Sequence, residues 1–164
     1  MLYVFPKHDL GYLHIPKTAG RTSSTSLKSV YGGAEYYRKL PGRHEPLSYC
    51  RELVGHENFN KLKLVTTIRN PYDHVVSLYF WIRRGITSKK IRDAQTERNP
   101  AVLIVYDLSF PEYIDWYCEN WRSYRDWLFV DGAVPDIHFL RFEHLRSEER
   151  RVGKECRSRW GTLC

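Results

Sequence analysis

The sequence predicts an α/β domain with a central, mostly parallel sheet. Two observations lead there. Short β-rich runs alternate with segments of helical spacing. The first two clear strand-like runs each pass through a few polar residues directly into a helix. The 164 residues, 42% of them hydrophobic and 27% charged, suit one compact domain and argue against disorder. No run approaches the ~18 apolar residues of a membrane-spanning helix. Residues 1–10 lack the apolar core and cleavage site of a secretory signal. Cys50, Cys118, Cys156 and Cys164 form no C-x-x-C pair and are read as free thiols in a reducing compartment. A cytoplasmic location is the resulting expectation.

Taken in order, Tyr12-Leu13-His14-Ile15 reads as a strand ended by Pro16. The loop Lys17-Thr18-Ala19-Gly20-Arg21 follows, and Thr22-Ser23-Ser24 offer N-cap hydroxyls for a helix. Leu27, Val30 and Tyr31 keep helical spacing, and Gly32-Gly33 end that helix. Residues 34–50 are polar and turn-rich, a surface excursion. Leu62 to Ile68 reads as a buried strand. It stops at Arg69-Asn70-Pro71, where Asn70 can cap a helix and Pro71 suits its first position. Val75, Leu78, Tyr79 and Ile82 then form one apolar stripe. Residues 85–100 are polar and expected to be mobile. Phe110 to Trp127 reads as mostly helical after a possible Ser109 cap. Leu128 to Val130 and Ile137 to Phe142 read as two further strands around an Asp131-Gly132 turn.

Sheets of this kind bind ligands at the carboxyl ends of their strands. That places Pro16–Ser23 and Arg69–Ser77 at the functional edge. A strand–loop–helix junction exposes unpaired backbone N–H groups at the positive end of a helix. Gly20 lets the backbone approach an anion, Lys17 adds a mobile charge, and Thr18, Thr22 and Ser23 add hydroxyls. The loop therefore suits a phosphate or sulfate. It lacks Gly-Lys-Ser/Thr, and its lysine precedes the glycine, so it is not a Walker A loop. Arg69 can grip a second anion through its planar fork, with Ser77 two turns into the next helix. The bland alternatives are an ordinary βα turn, an Arg69 paired with a carboxylate, and a Ser77 that fills a packing gap.

Seven histidines are present. His14 reads as a core or second-layer residue, and His74, in a first helical turn, as solvent-facing. His56 follows Gly55 and can serve as a general base near neutral pH. The alternative is a surface histidine. His44 also lies between the two anion segments in the chain.

Together these segments resemble a known family. His14 to Ser23 resembles the 5′-phosphosulfate loop of sulfotransferases that use 3′-phosphoadenosine-5′-phosphosulfate (PAPS), and Thr67 to Tyr79 resembles their 3′-phosphate segment. Ser109 to Tyr113 and Phe139 to Leu145 look like two later landmarks. The nearest likeness is to the carbohydrate branch that includes heparan sulfate 2-O- and 6-O-sulfotransferases. The resemblance implies a P-loop-like three-layer fold and transfer of a sulfuryl group from PAPS to a hydroxyl, most readily of a saccharide. It implies that His56 takes the acceptor's proton and that Lys17 stabilises charge on the leaving oxygen. The loop Lys17, Thr18, Ala19, Gly20, Arg21, Thr22 and Ser23 would hold the 5′-phosphate, and Arg69 with Ser77 the 3′-phosphate. No metal is implied. Arg21 stands where the family usually has Thr or Ser.

The net charge is +7, of which residues 146–164 supply +3. Ser147 to Trp160 resembles a translated cloning or sequencing adapter, so residues 146–164 read as a non-native tail on a domain of residues 1–145. Relatives continue past Leu145, which predicts a domain cut short at its C-terminus. With the tail set aside, the body is only mildly basic and nucleic acid is not an expected partner. Two rival functions are a P-loop kinase-like nucleotide enzyme and a non-catalytic polyanion or nucleic-acid binder.

Overall fold

The structure is a computed structural model that describes residues 1–37, 44–86 and 101–145. Chain order is β1 (Leu2–Phe5), a 3-10 turn (Pro6–His8), β2 (Leu10–Leu13), α1 (Gly20–Tyr31), β3 (Glu35–Tyr37), α2 (Leu47–Val54), α3 (His56–Phe59), β4 (Lys63–Ile68), α4 (Pro71–Ile86), α5 (Ala101–Asp107), α6 (Phe110–Asn120), α7 (Tyr124–Leu128) and β5 (Ile137–Arg141). The described residues divide into two bodies: those within 71–123, and those within 1–70 together with 124–145.

The first body holds a mixed sheet in the order β3-β1-β2-β4-β5. The expected parallel part is β2-β4-β5, with Leu13 opposite Thr66 and Ile68 opposite Arg141. β1 and β3 add antiparallel pairs, Leu2 opposite Leu13 and Leu2 opposite Tyr37. The physical reason is the link between β1 and β2. Only Pro6 to Asp9 joins them, with Asp9 left-handed at φ 48, and so short a connection cannot make a parallel crossover.

Alternate residues of the strands enter different cores. Leu2, Val4, Leu13 and Leu64 pack with Leu47, Cys50 and Val54 of α2, Phe59 of α3, and Trp127 and Leu128 of α7. Tyr3, Phe5 and Tyr12 pack instead with Leu27 and Tyr31 of α1. A sheet covered on both faces has strands buried throughout, as β1 is, so its residues carry no polar alternation. Buried side-chain bonds tie β2 to β4. The Thr66 hydroxyl donates to the Leu13 carbonyl at 2.9 Å, and the Tyr12 hydroxyl meets Thr67 Oγ1 at 2.9 Å.

The second body packs α4, α5 and α6 around Leu78, Tyr79, Ile82, Val105 and Tyr113. The predicted stripe of α4 faces this core, with Val75 at its margin. Ser109 closes the start of α6: its N–H donates to the Glu112 carboxylate at 2.7 Å and its hydroxyl at 2.5 Å.

Four local expectations are corrected. His74 is buried, not solvent-facing, because its Nδ1 pairs with the Tyr117 hydroxyl at 3.1 Å. Leu128 belongs to α7, and Val130 makes a single bridge to Ala133 instead of a strand. The excursion at 34–50 includes β3 and the first half of α2, which buries Leu47 and Cys50. Thr22, Ser23 and Ser24 lie inside α1, whose N-cap is Ala19. The stretch expected to be mobile at 85–100 begins within α4, and residues 87–100 lie outside the described residues, as does the suspected tail. Among the described residues no helix is long and apolar enough to cross a membrane, and Cys50 and Cys118 are free thiols.

Candidate functional site

β2 and β4 run parallel, so the chain leaves both at the same end of the sheet. From β2 it enters the loop of residues 14–19 before α1 begins at Gly20. Lys17 and Ala19 both take left-handed backbone angles, φ 64 and 62, without being glycine. That conformation costs a non-glycine residue about 1 kcal/mol or more, and it turns backbone N–H groups into the loop. No side chain caps α1, and its first turn holds no acidic residue. The positive end of the helix is thus left for another anion.

The loop's side chains divide by task. The Thr18 hydroxyl is buried and donates to the Ile15 carbonyl at 2.9 Å, so it shapes the loop from within. Ser23 Oγ meets Thr67 Oγ1 at 3.3 Å, which links α1 to β4. Ser24 donates back to the Arg21 carbonyl at 3.0 Å. Thr22 and Arg21 are exposed. Gly20 is required by contact: a Cβ there would stand 1.7 Å from Cδ2 of the His14 ring.

His14 is therefore a wall of the loop. Burial, reinforced by the charges of His44, the amino terminus and Arg21, pushes its pKa down to about 3. The ring is neutral at physiological pH, and its buried Nδ1 has no partner among the described residues. His44 packs edge-on against it with ring centres 4.5 Å apart. His44 Nδ1 lies 3.1 Å from the His14 carbonyl. A carbonyl can only accept, so Nδ1 carries the hydrogen, and in the neutral ring Nε2 holds the lone pair.

Arg69 closes the same end. Its Nη1 donates to the Lys17 carbonyl at 3.5 Å, a long contact, and its Cζ lies 4.3 Å above the centre of the Phe142 ring. The Tyr124 hydroxyl accepts from the Arg69 N–H and donates to the Arg69 carbonyl, each at 3.0 Å. The next N–H, of Asn70, donates to Glu143 at 2.6 Å, and that bond holds the Glu143 carboxyl below the usual range. The structure thus joins Lys17 to Arg69, two cations read from separate segments of the chain. Ser77 is half-buried in α4 of the second body. Nothing in the sequence marked Tyr124, which lay mid-helix in a longer predicted segment; Phe142 and Glu143 stood in a landmark without a role.

His56, the expected base, stands apart from this loop. His56 opens α3, and Leu62, just before β4, donates to the Phe59 carbonyl at 3.0 Å. This links α3 to the amino end of β4, where Lys63 donates to the Asp9 carbonyl at 2.6 Å. The Lys17 loop lies at the carboxyl ends, about 17 Å away along a six-residue strand. His56 Nε2 is 3.0 Å from Glu52, beside an Arg51 that is paired with both Glu52 and Asp131. His56 is a surface residue of the opposite edge, and His44 is the histidine beside the loop.

No group of three or more His, Cys, Asp or Glu among the described residues could hold a metal ion. Neither a curated protein nor a solved structure matches the chain. A sequence model described as "Sulfotransferase family" matches residues 1–151. That span contains the uncapped helix, the left-handed lysine loop and the arginine beside it, so the chain belongs to the sulfotransferase family.

Proposed function

We propose that the protein moves the sulfuryl group of PAPS to a hydroxyl of an acceptor, a saccharide in the first instance, on a P-loop-like three-layer domain. One observation carries this reading: a half-buried arginine free of ion pairs among the described residues sits against the lysine loop of an uncapped helix. Such a site has the polarity for a doubly anionic nucleotide. The donor set fits. Arg69 Nε is buried and without a partner among the described residues, and a residue larger than glycine at position 20 would collide with His14.

PAPS, when bound, supplies the activated sulfuryl group; the chain supplies position and charge. Backbone N–H groups of residues 18–22 would hold the 5′-phosphate, Arg69 would hold the 3′-phosphate, and Lys17 would offset negative charge growing on the leaving oxygen. His44 Nε2 is the proton acceptor for the acceptor hydroxyl. Its Nδ1–H···O=C bond fixes that tautomer.

The test has two arms. Adenosine 3′,5′-bisphosphate should raise Tm more than adenosine 5′-monophosphate or ATP at equal concentration. Radiolabelled sulfate from PAPS should then appear on a saccharide in an acceptor screen. Equal thermal shifts from all three nucleotides, or binding of oligonucleotides that the bisphosphate does not displace, would remove the reading.

A further inference from the structure

Arg69 stands where β4 has run out of one neighbour. β2 ends at Leu13 opposite Thr66, while β5 continues to Arg141 opposite Ile68. The Tyr124 hydroxyl takes the place of the missing strand by bonding both main-chain groups of Arg69. Burial pushes the Tyr124 pKa up, so the hydroxyl stays protonated and can donate. On the side-chain end, Phe142 presents its face to the guanidinium. A cation–π contact uses the flat face of the group and leaves its in-plane N–H donors for another partner. The nearby carboxylate, Glu143, accepts the Asn70 N–H, and Arg69 has no ion pair among the described residues.

We propose that Tyr124 and Phe142 are positioning residues that hold Arg69 as a preformed fork for an anion, and that preference for a 3′-phosphorylated nucleotide depends on them. The inference rests on the donor reading above. A free arginine loses rotamer entropy when it binds. Fixing its backbone with Tyr124 and its plane with Phe142 meets that cost during folding. An aromatic shelf does this without neutralising the charge, which a carboxylate in the same place would do.

Titration calorimetry on the full chain tests it, with adenosine 3′,5′-bisphosphate and adenosine 5′-monophosphate as the two probes. Tyr124→Phe and Phe142→Leu should each weaken bisphosphate binding roughly tenfold, the worth of one charge-assisted contact, and leave monophosphate binding within about twofold. Phe142→Trp keeps an aromatic face and should restore the preference. If Tyr124→Phe does not fold, the Phe142 pair decides. A loss shared equally by both nucleotides, or a preference untouched in Tyr124→Phe and Phe142→Leu, overturns the inference and leaves the donor reading standing. Failure of Trp to restore it also overturns the role of Phe142. Equal affinity of the unaltered protein for the two probes overturns the donor reading and this inference with it.

Discussion

The two ends of the sheet in the first body carry similar side chains arranged to opposite effect. At the amino ends, Arg51, His56 and Lys61 face Glu52, Glu57 and Asp131 in four ion pairs. At the carboxyl ends, Arg21 and Arg69 have no ion pair among the described residues, and the helix pointing at them has no acid in its first turn. Both ends hold histidine and arginine beside a glycine. Their difference is pairing. Charges satisfied by neighbouring carboxylates are a solvated surface worth little to stability. Like charges brought together without ion pairs oppose folding, and a bound anion would relieve that cost.

The widest separation between the ends should appear in catalysis. His44→Ala should lower transfer by ~10²–10⁴, the range for a lost general base. Nucleotide affinity should change little. His56→Ala should leave both within about twofold, since a surface histidine paired with Glu52 touches neither anion segment. Sulfate-transfer kinetics on the two variants decide, and a reversed pattern would return the base to His56.

Stability should separate the ends next. Gly20→Ala forces a methyl into the His14 ring and should cost about 3 kcal/mol in urea unfolding, with loss of nucleotide binding. Gly55→Ala meets nothing within 4 Å, and its cost comes only from φ +86, about 1–2 kcal/mol. It should leave binding intact. Equal losses in both properties would dissolve the distinction.

A smaller effect follows from His14. Its folded pKa is pushed down to about 3 from an ordinary 6.5, first by burial and then by the charge of His44. Between those values the unfolded chain takes up a proton that the folded chain refuses. Stability therefore falls as pH drops from about 6.5 towards 3, with a slope of at most ~1.4 kcal/mol per pH unit. Melting curves against pH should show this slope, and His14→Phe should remove it. The smallest effect belongs to the far end. Asp131→Asn breaks the exposed pairing with Arg51 and should shift Tm by no more than about 2 °C. Bisphosphate affinity should not respond.

Much of this architecture was readable from the chain because local rules act over a few residues. Pro71 opens α4, Gly32 follows α1, and Ser109 with Glu112 begins α6 as their preferences require. Val75, Leu78, Tyr79 and Ile82 share a face because a helix returns every 3.6 residues. β1 escaped notice for an equally physical reason. Leu2 and Val4 enter one core while Tyr3 and Phe5 enter the other, so no polar alternation marks the strand.

Residue chemistry alone raised the expectation that the loop of Lys17 to Ser23 and the strand end at Arg69 suit anions, since that follows from glycine, cation and helix start in succession. Three-dimensional packing decided the rest. It set His44, not His56, beside the loop, because strand direction, not distance along the chain, settles which connections share an end of the sheet. It turned the Thr18 hydroxyl inward and left Thr22 exposed, since the left-handed angles at Lys17 and Ala19 set which side chains face the protein. It also brought Tyr124 and Phe142 to Arg69 from residues 55 and 73 positions away, a meeting that burial of two separate segments against one strand end alone can produce.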